Sequence, residues 1–200
     1  MANILLIYGH PKMPTSFNFD LKEKLLFTLK NKGHNVFVRD LYEVNFNPVL
    51  SSKDLEMFYN DEIPDDIKRE QDFIRSADIM IFIYPIWWTG LPAIIKGYFD
   101  KVFSYGFAYK RRGSEIIGLL NDKTAIIINS HGNSIKTYNE QGMYNAMKLT
   151  SDTGIFAFCG FKTIKHLFFG EITSATPEVR ENYIKDAIDQ TIITIDAQSI

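Results

Sequence analysis

The chain has 200 residues, of which 46% are hydrophobic and 23% charged, which is the composition of a globular protein and not of a disordered or fibrous one. A net charge of −2 gives no basic footprint for nucleic acid or for an anionic membrane surface. We therefore expect a single domain over residues 1–200, with neither nucleic acid nor membrane as a partner.

Buried strands and amphipathic helices alternate along the chain, and each is recognised by its apolar period. In chain order we predict a strand over 3–8, a helix from Phe17 to Gly33, a strand over 35–41, a long connection over 42–63, a helix over 64–77, a strand over 78–84, a helix over 93–103, a loop over 104–122, a strand over 124–129, a helical region over 140–158 broken near 153–154, a strand around 163–169 and a helix over 177–195. This alternation predicts an α/β fold with a parallel sheet and helices on both faces.

The first segment and the single cysteine bear on location. The apolar run from Asn3 to Tyr8 is too short for a signal peptide or a membrane span, and Cys159 has no second cysteine with which to form a disulfide. We therefore expect a cytoplasmic protein. Cys159 lies in an apolar run, so we interpret it as a packed residue and not as a nucleophile.

Ligands of parallel α/β sheets bind beyond the carboxyl ends of the strands, so the loops after the first, third and fourth strands are the candidate site. The first loop, residues 9–18, joins a buried strand to a helix N-terminus, which favours a bound phosphate. It has neither the P-loop nor the dinucleotide glycine pattern. A plain turn capped by Thr15 or Ser16 is the alternative.

Both tryptophans of the chain, Trp87 and Trp88, lie in the second loop between Pro85 and Pro92. Two indoles in a rigid turn favour a planar ligand such as the isoalloxazine ring of a flavin. A hydrophobic plug or a dimer contact is the alternative.

In the third loop, residues 129–138, small polar side chains allow backbone amides to approach a ligand, and Tyr138 is placed to donate a hydrogen bond to a developing anion. A polar turn with an exposed tyrosine is the alternative. We expect no metal site.

These loops belong to a wider pattern of motifs. The chain resembles the flavodoxin-like NAD(P)H:quinone oxidoreductases, the family of DT-diaphorase, in order from residue 4 to about 183. The matching segments are His10 with Thr15–Asn18, Leu41–Tyr42, Asn45–Pro48, Lys53–Asp54, Pro85–Phe103, Phe107–Tyr109, Tyr138 with Gln141–Gly142, and Phe158–Phe161.

The resemblance implies a five-stranded parallel sheet in the order 2-1-3-4-5 and a bound flavin. It implies that the flavin phosphates contact the first loop and that the isoalloxazine ring lies between the second and third loops. The implied cofactor-binding residues are His10, Thr15, Ser16, Phe17, Asn18, Pro85, Ile86, Trp87, Trp88, Ser130, His131, Gly132, Asn133, Tyr138 and Arg180.

The activity implied by the resemblance is ping-pong transfer of two electrons, from NAD(P)H to the flavin and then to a quinone-like acceptor. The resemblance also implies a homodimer in which aromatic residues of the partner close the pocket. Trp88, Phe107 and Tyr109 are the implied lining of that pocket, and Tyr138 and Tyr144 the implied catalytic residues.

Three departures from the family pattern bear on the site. Tyr144 stands where mammalian members have a histidine, which removes a group that titrates near neutral pH. The Thr-Thr-Gly-Gly loop of the family is Ser130-His-Gly-Asn133 here. Arg180 lies near the family's arginine for the adenosine half of FAD, whereas the connection after Pro48 is shortened, so FAD is favoured only slightly over FMN.

Two other functions on the same fold stay open at this point. One is an ancillary flavoprotein that regulates a potassium efflux system, and the other is a flavodoxin-type one-electron carrier, against which the low net charge of −2 weighs. An NAD-binding Rossmann domain lacks support because its glycine fingerprint is absent. The basic run Lys110–Arg112 is compatible with a solvated loop or with a contact to a phosphate of the nucleotide cofactor.

Overall fold

The computed structural model describes residues 1–198, and its centre is a five-stranded parallel sheet in the order β2-β1-β3-β6-β7. Counted within the sheet, this is the predicted order 2-1-3-4-5, so the expected flavodoxin-like fold is confirmed. Two further strands form a separate antiparallel pair, β4 with β5. The strands are β1 (Asn3–Tyr8), β2 (Asn35–Asp40), β3 (Ile79–Pro85), β4 (Tyr109–Arg112), β5 (Glu115–Gly118), β6 (Thr124–Ser130) and β7 (Thr163–Phe169).

Helices cover both faces of the sheet. They are α1 (Phe17–Asn31), α2 (Ser52–Tyr59), α3 (Asp65–Ser76), α4 (Ala93–Val102), α5 (Ile135–Glu140), α6 (Met143–Lys148) and α7 (Pro177–Asp196), together with a π-helix over Leu149–Ala157. None of the helices within residues 1–198 is both long enough and apolar enough to cross a membrane.

Alternating side chains of each strand supply two separate cores. On β1, Leu5 and Ile7 pack with residues of α3 and α4, whereas Ile4 and Leu6 pack with residues of α1 and α7. All four side chains are fully buried. A strand buried on both faces reads as a continuous apolar run, which is why the sequence pattern located these strands well.

The connection over residues 42–63 is more ordered than predicted, because it contains α2. Ser51 caps this helix: its hydroxyl accepts a hydrogen bond from the Asp54 amide at 3.1 Å, and the Asp54 carboxylate accepts one from the Ser51 amide at 3.0 Å. Lys101 of α4, whose side chain is 2% exposed, lies 3.5 Å from the Asp54 carboxylate and holds α2 against the core. The Ser-x-x-Asp pattern of this capping box was the available sequence signal.

Two other expectations of local structure are wrong. The loop over 104–122 contains the hairpin β4–β5, which turns at Gly113, where φ is +64°. The helical region does not break at 153–154 but continues there as the π-helix, and the chain bends instead at Gly142, where φ is +69°. Because that region starts earlier, at Ile135, the third candidate loop is short.

Candidate functional site

The three candidate loops lie together at one edge of the sheet, as the topology predicts. β1, β3 and β6 are neighbours, so the loops at their carboxyl ends are adjacent. Backbone hydrogen bonds join them: the Gly9 amide donates to the Ile83 carbonyl at 3.0 Å, and the Ile86 amide donates to the Ser130 carbonyl at 2.7 Å. We call this edge, formed by residues 9–18, 85–92 and 129–138, the carboxyl rim.

The first loop ends in the cap of α1. The Ser16 hydroxyl accepts a hydrogen bond from the Phe19 amide at 3.2 Å. Phe17 is buried against Phe169, with ring centroids 6.0 Å apart. Asn18 is 3% exposed, and its Oδ1 atom has no hydrogen-bond partner among residues 1–198. This helix N-terminus therefore combines free amides with an amide side chain that has unused hydrogen-bonding capacity.

His10 and Trp87 connect the first loop to the second. Their ring centroids are 6.3 Å apart, and the rings are tilted by 51°. The Nδ1 atom of His10 lies 2.8 Å from the Pro11 carbonyl oxygen, which fixes the orientation of the imidazole. Thr15, the remaining candidate of this loop, is exposed at the rim.

The second loop is a tight turn that projects Trp88 into solvent. The Trp87 and Gly90 backbones bond each other in both directions, at 3.2 and 3.1 Å. Trp88 and Thr89 have φ of +50° and +55°, a left-handed conformation that costs a non-glycine residue roughly 1–2 kcal/mol. The Trp88 side chain is 100% exposed, while Ile86 beneath it is buried. A strained turn that holds an indole in water favours a binding role for that indole.

His131 is the centre of an aromatic cluster in the third loop. Its ring stacks on Tyr138, with centroids 4.6 Å apart and an angle of 17° between the planes. Its Nε2 atom lies 2.8 Å from the Tyr144 hydroxyl. Tyr144 stands where mammalian members of the family have a histidine, and here it is hydrogen-bonded to a histidine from a different loop.

Burial keeps this cluster uncharged at neutral pH. Burial lowers the pKa of His131, an effect larger than the opposing ones of the Asn133 backbone and the Glu171 carboxylate, and burial raises the pKa of Tyr144. The His131 ring is therefore neutral and the Tyr144 hydroxyl keeps its proton. In this state neither His131 nor Tyr144 is a buried charge, and the neutral His131 ring can still accept one proton.

The remaining candidates of the third loop shape its backbone. Ser130 is buried at the end of β6, and a Cβ atom on Gly132 would lie 3.3 Å from the Thr173 hydroxyl oxygen. The Asn133 side chain accepts a hydrogen bond from the Ser134 amide at 3.0 Å. Ser134 in turn caps α5, the helix that carries Tyr138.

The buried polar atoms without a partner point to a ligand. Four such side-chain atoms occur within the described part of the chain: Tyr8 Oη, Asn18 Oδ1, His131 Nδ1 and Arg180 Nε. Three of the four belong to residues predicted to bind the cofactor. Buried polar groups are rarely left unpaired, because each one costs about 1–3 kcal/mol.

Arg180 lies away from the rim, in a cavity of about 440 Å³ between α1 and α7. Its Nη2 atom donates to the Ile172 carbonyl at 2.7 Å, which leaves Nε free for a ligand. Asp20 and Pro177 also line this cavity. The residue predicted to bind the adenosine half of FAD thus borders an open volume near the helix that begins at the first loop.

Phe107 and Tyr109 do not meet Trp88 within one chain. They line a second cavity of about 630 Å³, together with residues of α2 and α3, and Trp88 takes no part in that cavity. Tyr109 contacts Phe158, with ring centroids 5.1 Å apart. The predicted substrate pocket is therefore split between two places of the chain.

Two features of the molecule were not predicted from the sequence. One is the hairpin β4–β5, on which the basic residues Lys110, Arg111 and Arg112 are exposed, because its short strands have no alternating apolar pattern. His166 is buried between Asp152 and Asn129, at 2.7 and 2.6 Å. A lone histidine in a predicted strand carries no sequence signal, because its partners are 14 and 37 residues away.

Comparisons with known proteins agree with this architecture. A family model described as a flavodoxin-like fold matches residues 2–191. An uncharacterized NAD(P)H oxidoreductase of Haemophilus influenzae is 39% identical over 189 residues, 94% of each chain. NAD(P)H dehydrogenase (quinone) 1 of Cavia porcellus is 32% identical over 90% of this chain and 72% of its own length. The solved NAD(P)H:quinone oxidoreductase of Methanothermobacter marburgensis superposes with a TM-score of 0.84 at 27% identity, covering 94% of this chain and 96% of its own.

Proposed function

This chain belongs to the flavodoxin-like family, and on that premise we propose that it is an NAD(P)H-dependent flavoprotein reductase that passes two electrons to quinones or similar flat aromatic acceptors. The observation that carries the proposal is the pair of unpartnered buried atoms, Asn18 Oδ1 and His131 Nδ1, on the first and third loops of the carboxyl rim. A ligand that hydrogen-bonds both loops relieves both costs.

The residues of the rim suit the parts of a flavin. His10, Thr15, Ser16, Phe17 and Asn18, around the α1 N-terminus, would hold the phosphate end. Pro85, Ile86, Trp87 and Trp88 would cover the ring system, and Ser130, His131, Gly132, Asn133 and Tyr138 would meet its polar edge. When bound, the flavin accepts a hydride from NAD(P)H and passes two electrons on.

The protein's own chemical contribution would come from His131, Tyr138 and Tyr144. A neutral His131 takes up a proton when negative charge develops beside it, and the Tyr144 hydroxyl keeps its ring in place at 2.8 Å. Tyr138, stacked on the same ring, would donate a hydrogen bond from its hydroxyl group to the polar edge of the flavin. These roles correspond to proton uptake and electrostatic stabilisation.

The cavity beside Arg180 favours FAD over FMN as the cofactor, because only FAD carries an adenosine half to occupy it. We expect Arg180→Gln to weaken FAD binding about 10-fold, the loss of one hydrogen bond to a charged group, and to leave FMN binding unchanged. Titration of flavin-free protein with each flavin measures the two affinities. Lys24→Gln is the matched control, since Lys24 pairs with Glu181 across the same two helices on their exposed side. An equal loss of affinity for FAD and for FMN would show that Arg180 does not bind the adenosine half.

A homodimer would complete the acceptor pocket. Trp88 is exposed at the rim, while Phe107 and Tyr109 line a separate cavity, so a second copy would bring the aromatic groups of one chain over the rim of the other. The proposal includes a cytoplasmic location, supported by the free and buried thiol of Cys159.

Trp88→Ala should reduce acceptor turnover by about 10-fold and leave the amount of bound flavin unchanged, because the indole has no packing role in the chain. Steady-state kinetics with menadione and absorbance of the bound flavin measure the two quantities. Phe27→Ala is the control, since Phe27 is an exposed aromatic residue on α1. Turnover that equals that of the control would exclude Trp88 from the pocket.

An anaerobic titration with NADH or NADPH, followed by menadione, tests the proposed reaction itself. A reductase loses its yellow colour rapidly and regains it when the quinone is added, without a radical intermediate. Slow bleaching with a stable semiquinone would instead identify a one-electron carrier. A preparation that stays colourless after addition of FMN and FAD would contradict the proposal altogether.

A further inference from the structure

His166 is a buried histidine that contacts none of the proposed cofactor ligands through its hydrogen bonds. Its side chain lies on β7 and is 2% exposed. The Nδ1 atom lies 2.7 Å from Oδ1 of Asp152 on the π-helix, and the Nε2 atom lies 2.6 Å from Oδ1 of Asn129 on β6. The imidazole therefore bridges the π-helix and β6 by side-chain hydrogen bonds.

The amide of Asn129 has one orientation that satisfies its neighbours. Its Nδ2 atom donates to the Tyr84 carbonyl at 3.1 Å, so its Oδ1 atom faces His166. Each ring nitrogen of His166 therefore lies within hydrogen-bond distance of a side-chain oxygen. A continuous hydrogen-bonded chain thus runs from Asp152 through His166 and Asn129 to the backbone of β3.

This series of hydrogen bonds reaches the start of two loops of the carboxyl rim. Tyr84 is followed by Pro85 and Ile86, and Asn129 is followed by Ser130 and His131. The next cross-link beyond them is the hydrogen bond from the Ile86 amide to the Ser130 carbonyl, at 2.7 Å. The side-chain hydrogen bonds of His166 and Asn129 thus meet the β3–β6 ladder next to its last two pairs, Tyr84 with Asn129 and Pro85 with Ser130.

A second contact leads from His166 to the same place. Phe168, two residues along β7, stacks on the His166 ring with centroids 4.0 Å apart and an angle of 23°. Phe168 also contacts Tyr144, at 4.8 Å between centroids, and Tyr144 is hydrogen-bonded to His131. Displacement of His166 would thus disturb both the backbone spacing of the rim and the ring that holds His131.

We propose that Asp152, His166 and Asn129 are positioning residues that fix the spacing of the two rim loops between which the flavin ring would lie. The expected effect on flavin binding rests on the proposed function. The hydrogen-bonded connection between β7 and the rim does not depend on it. Buried, fully paired polar networks have this effect because each member fixes the direction of the next.

The link is tested first without any cofactor. Amide hydrogen exchange of flavin-free protein is compared for the native chain and for His166→Leu, which removes both hydrogen bonds. We expect exchange at the Ile86 amide to become at least about 10-fold faster, while amides in β1 and β2 keep their rates. His166→Gln, whose amide can still bond Asn129, should restore most of the protection.

The consequence is then measured with FMN as the probe. His166→Leu and Asp152→Asn should raise the dissociation constant of FMN about 10-fold, as is usual when a group that orients a ligand-binding residue is lost. Lys165→Met is the matched control, because Lys165 bonds Gln190 at 2.8 Å from the neighbouring position of β7.

The outcomes separate the two ideas. Unchanged exchange at Ile86 in His166→Leu, or faster exchange spread evenly over the whole sheet, would overturn the positioning role. If exchange responds as expected but the native chain binds no flavin, the proposed function fails and the mechanical link stands. An FMN affinity in His166→Leu equal to that of Lys165→Met would also count against the inference.

Discussion

The double substitution Ser16→Ala with Asn18→Ala should leave a protein that folds but loses its flavin, with an affinity at least about 100-fold lower. Each side chain would supply a hydrogen bond to a charged or strongly polar group of the cofactor, and such a bond contributes about 1.5–3 kcal/mol. Two lost bonds therefore correspond to about two factors of ten or more. After gel filtration, the visible absorbance of the flavin relative to the ultraviolet absorbance of the protein measures how much flavin is retained.

Ser16 also caps α1, so the loss of a cap has to be separated from the loss of a ligand. Removal of an N-cap costs about 1 kcal/mol of stability wherever it occurs. Ser51→Ala removes the equivalent hydroxyl from α2, away from the rim, and serves as the control. Asn18→Ala alone leaves the cap intact. A double variant that stays yellow with normal stoichiometry would show that the first loop does not hold the phosphate.

The sheet could be predicted from sequence because its strands are apolar on both faces. The runs at 3–8, 78–84 and 124–129 are continuous and end at glycine, proline or asparagine, which leaves little doubt about type or position. Once these strands were placed, topology alone brought the loops after β1, β3 and β6 to one edge.

Elements with weaker apolar periods could not be predicted from the sequence. Among the residues of α2, none is buried, so the helix is held by its capping box and by Lys101 and not by an apolar stripe. The strands β4 and β5 are four residues each and mostly exposed, with the basic residues of β4 in place of alternating apolar ones. Sequence periodicity detects burial, and these elements are barely buried.

The site could be predicted as a set of loops but not as a set of contacts. The meeting of His131 with Tyr144, 13 residues apart, depends on where the bend at Gly142 turns α6 back toward the rim. The contact of Asp152 with His166 depends on the π-helix, whose additional residue per turn no propensity scale predicts. Both contacts arise from tertiary geometry.

His131→Gln should slow reduction of the bound flavin by NADH about 100-fold at pH 7, a typical loss for a group that takes up a proton during the reaction. Glutamine keeps a hydrogen-bonding side chain of similar reach to Tyr144 but accepts no proton. Stopped-flow absorbance under anaerobic conditions measures the rate. His34→Gln, at the opposite end of the sheet beside the Ala2 amide, is the control. A rate within about twofold of that control would mean that His131 only shapes the loop.

The pH dependence of stability distinguishes a buried neutral histidine from an exposed one. Because burial lowers the pKa of His131 in the folded protein, the unfolded chain binds more protons once the pH falls below about 6.5. Stability contributed by the neutral ring is thus present above that value and is lost as the pH falls toward the lowered pKa. The native protein should lose more stability between pH 7 and pH 5 than His131→Gln does, as urea unfolding would record. Equal losses of stability in the two proteins would indicate that the His131 ring is already hydrated. A hydrated ring could not act as the neutral proton acceptor proposed for flavin reduction.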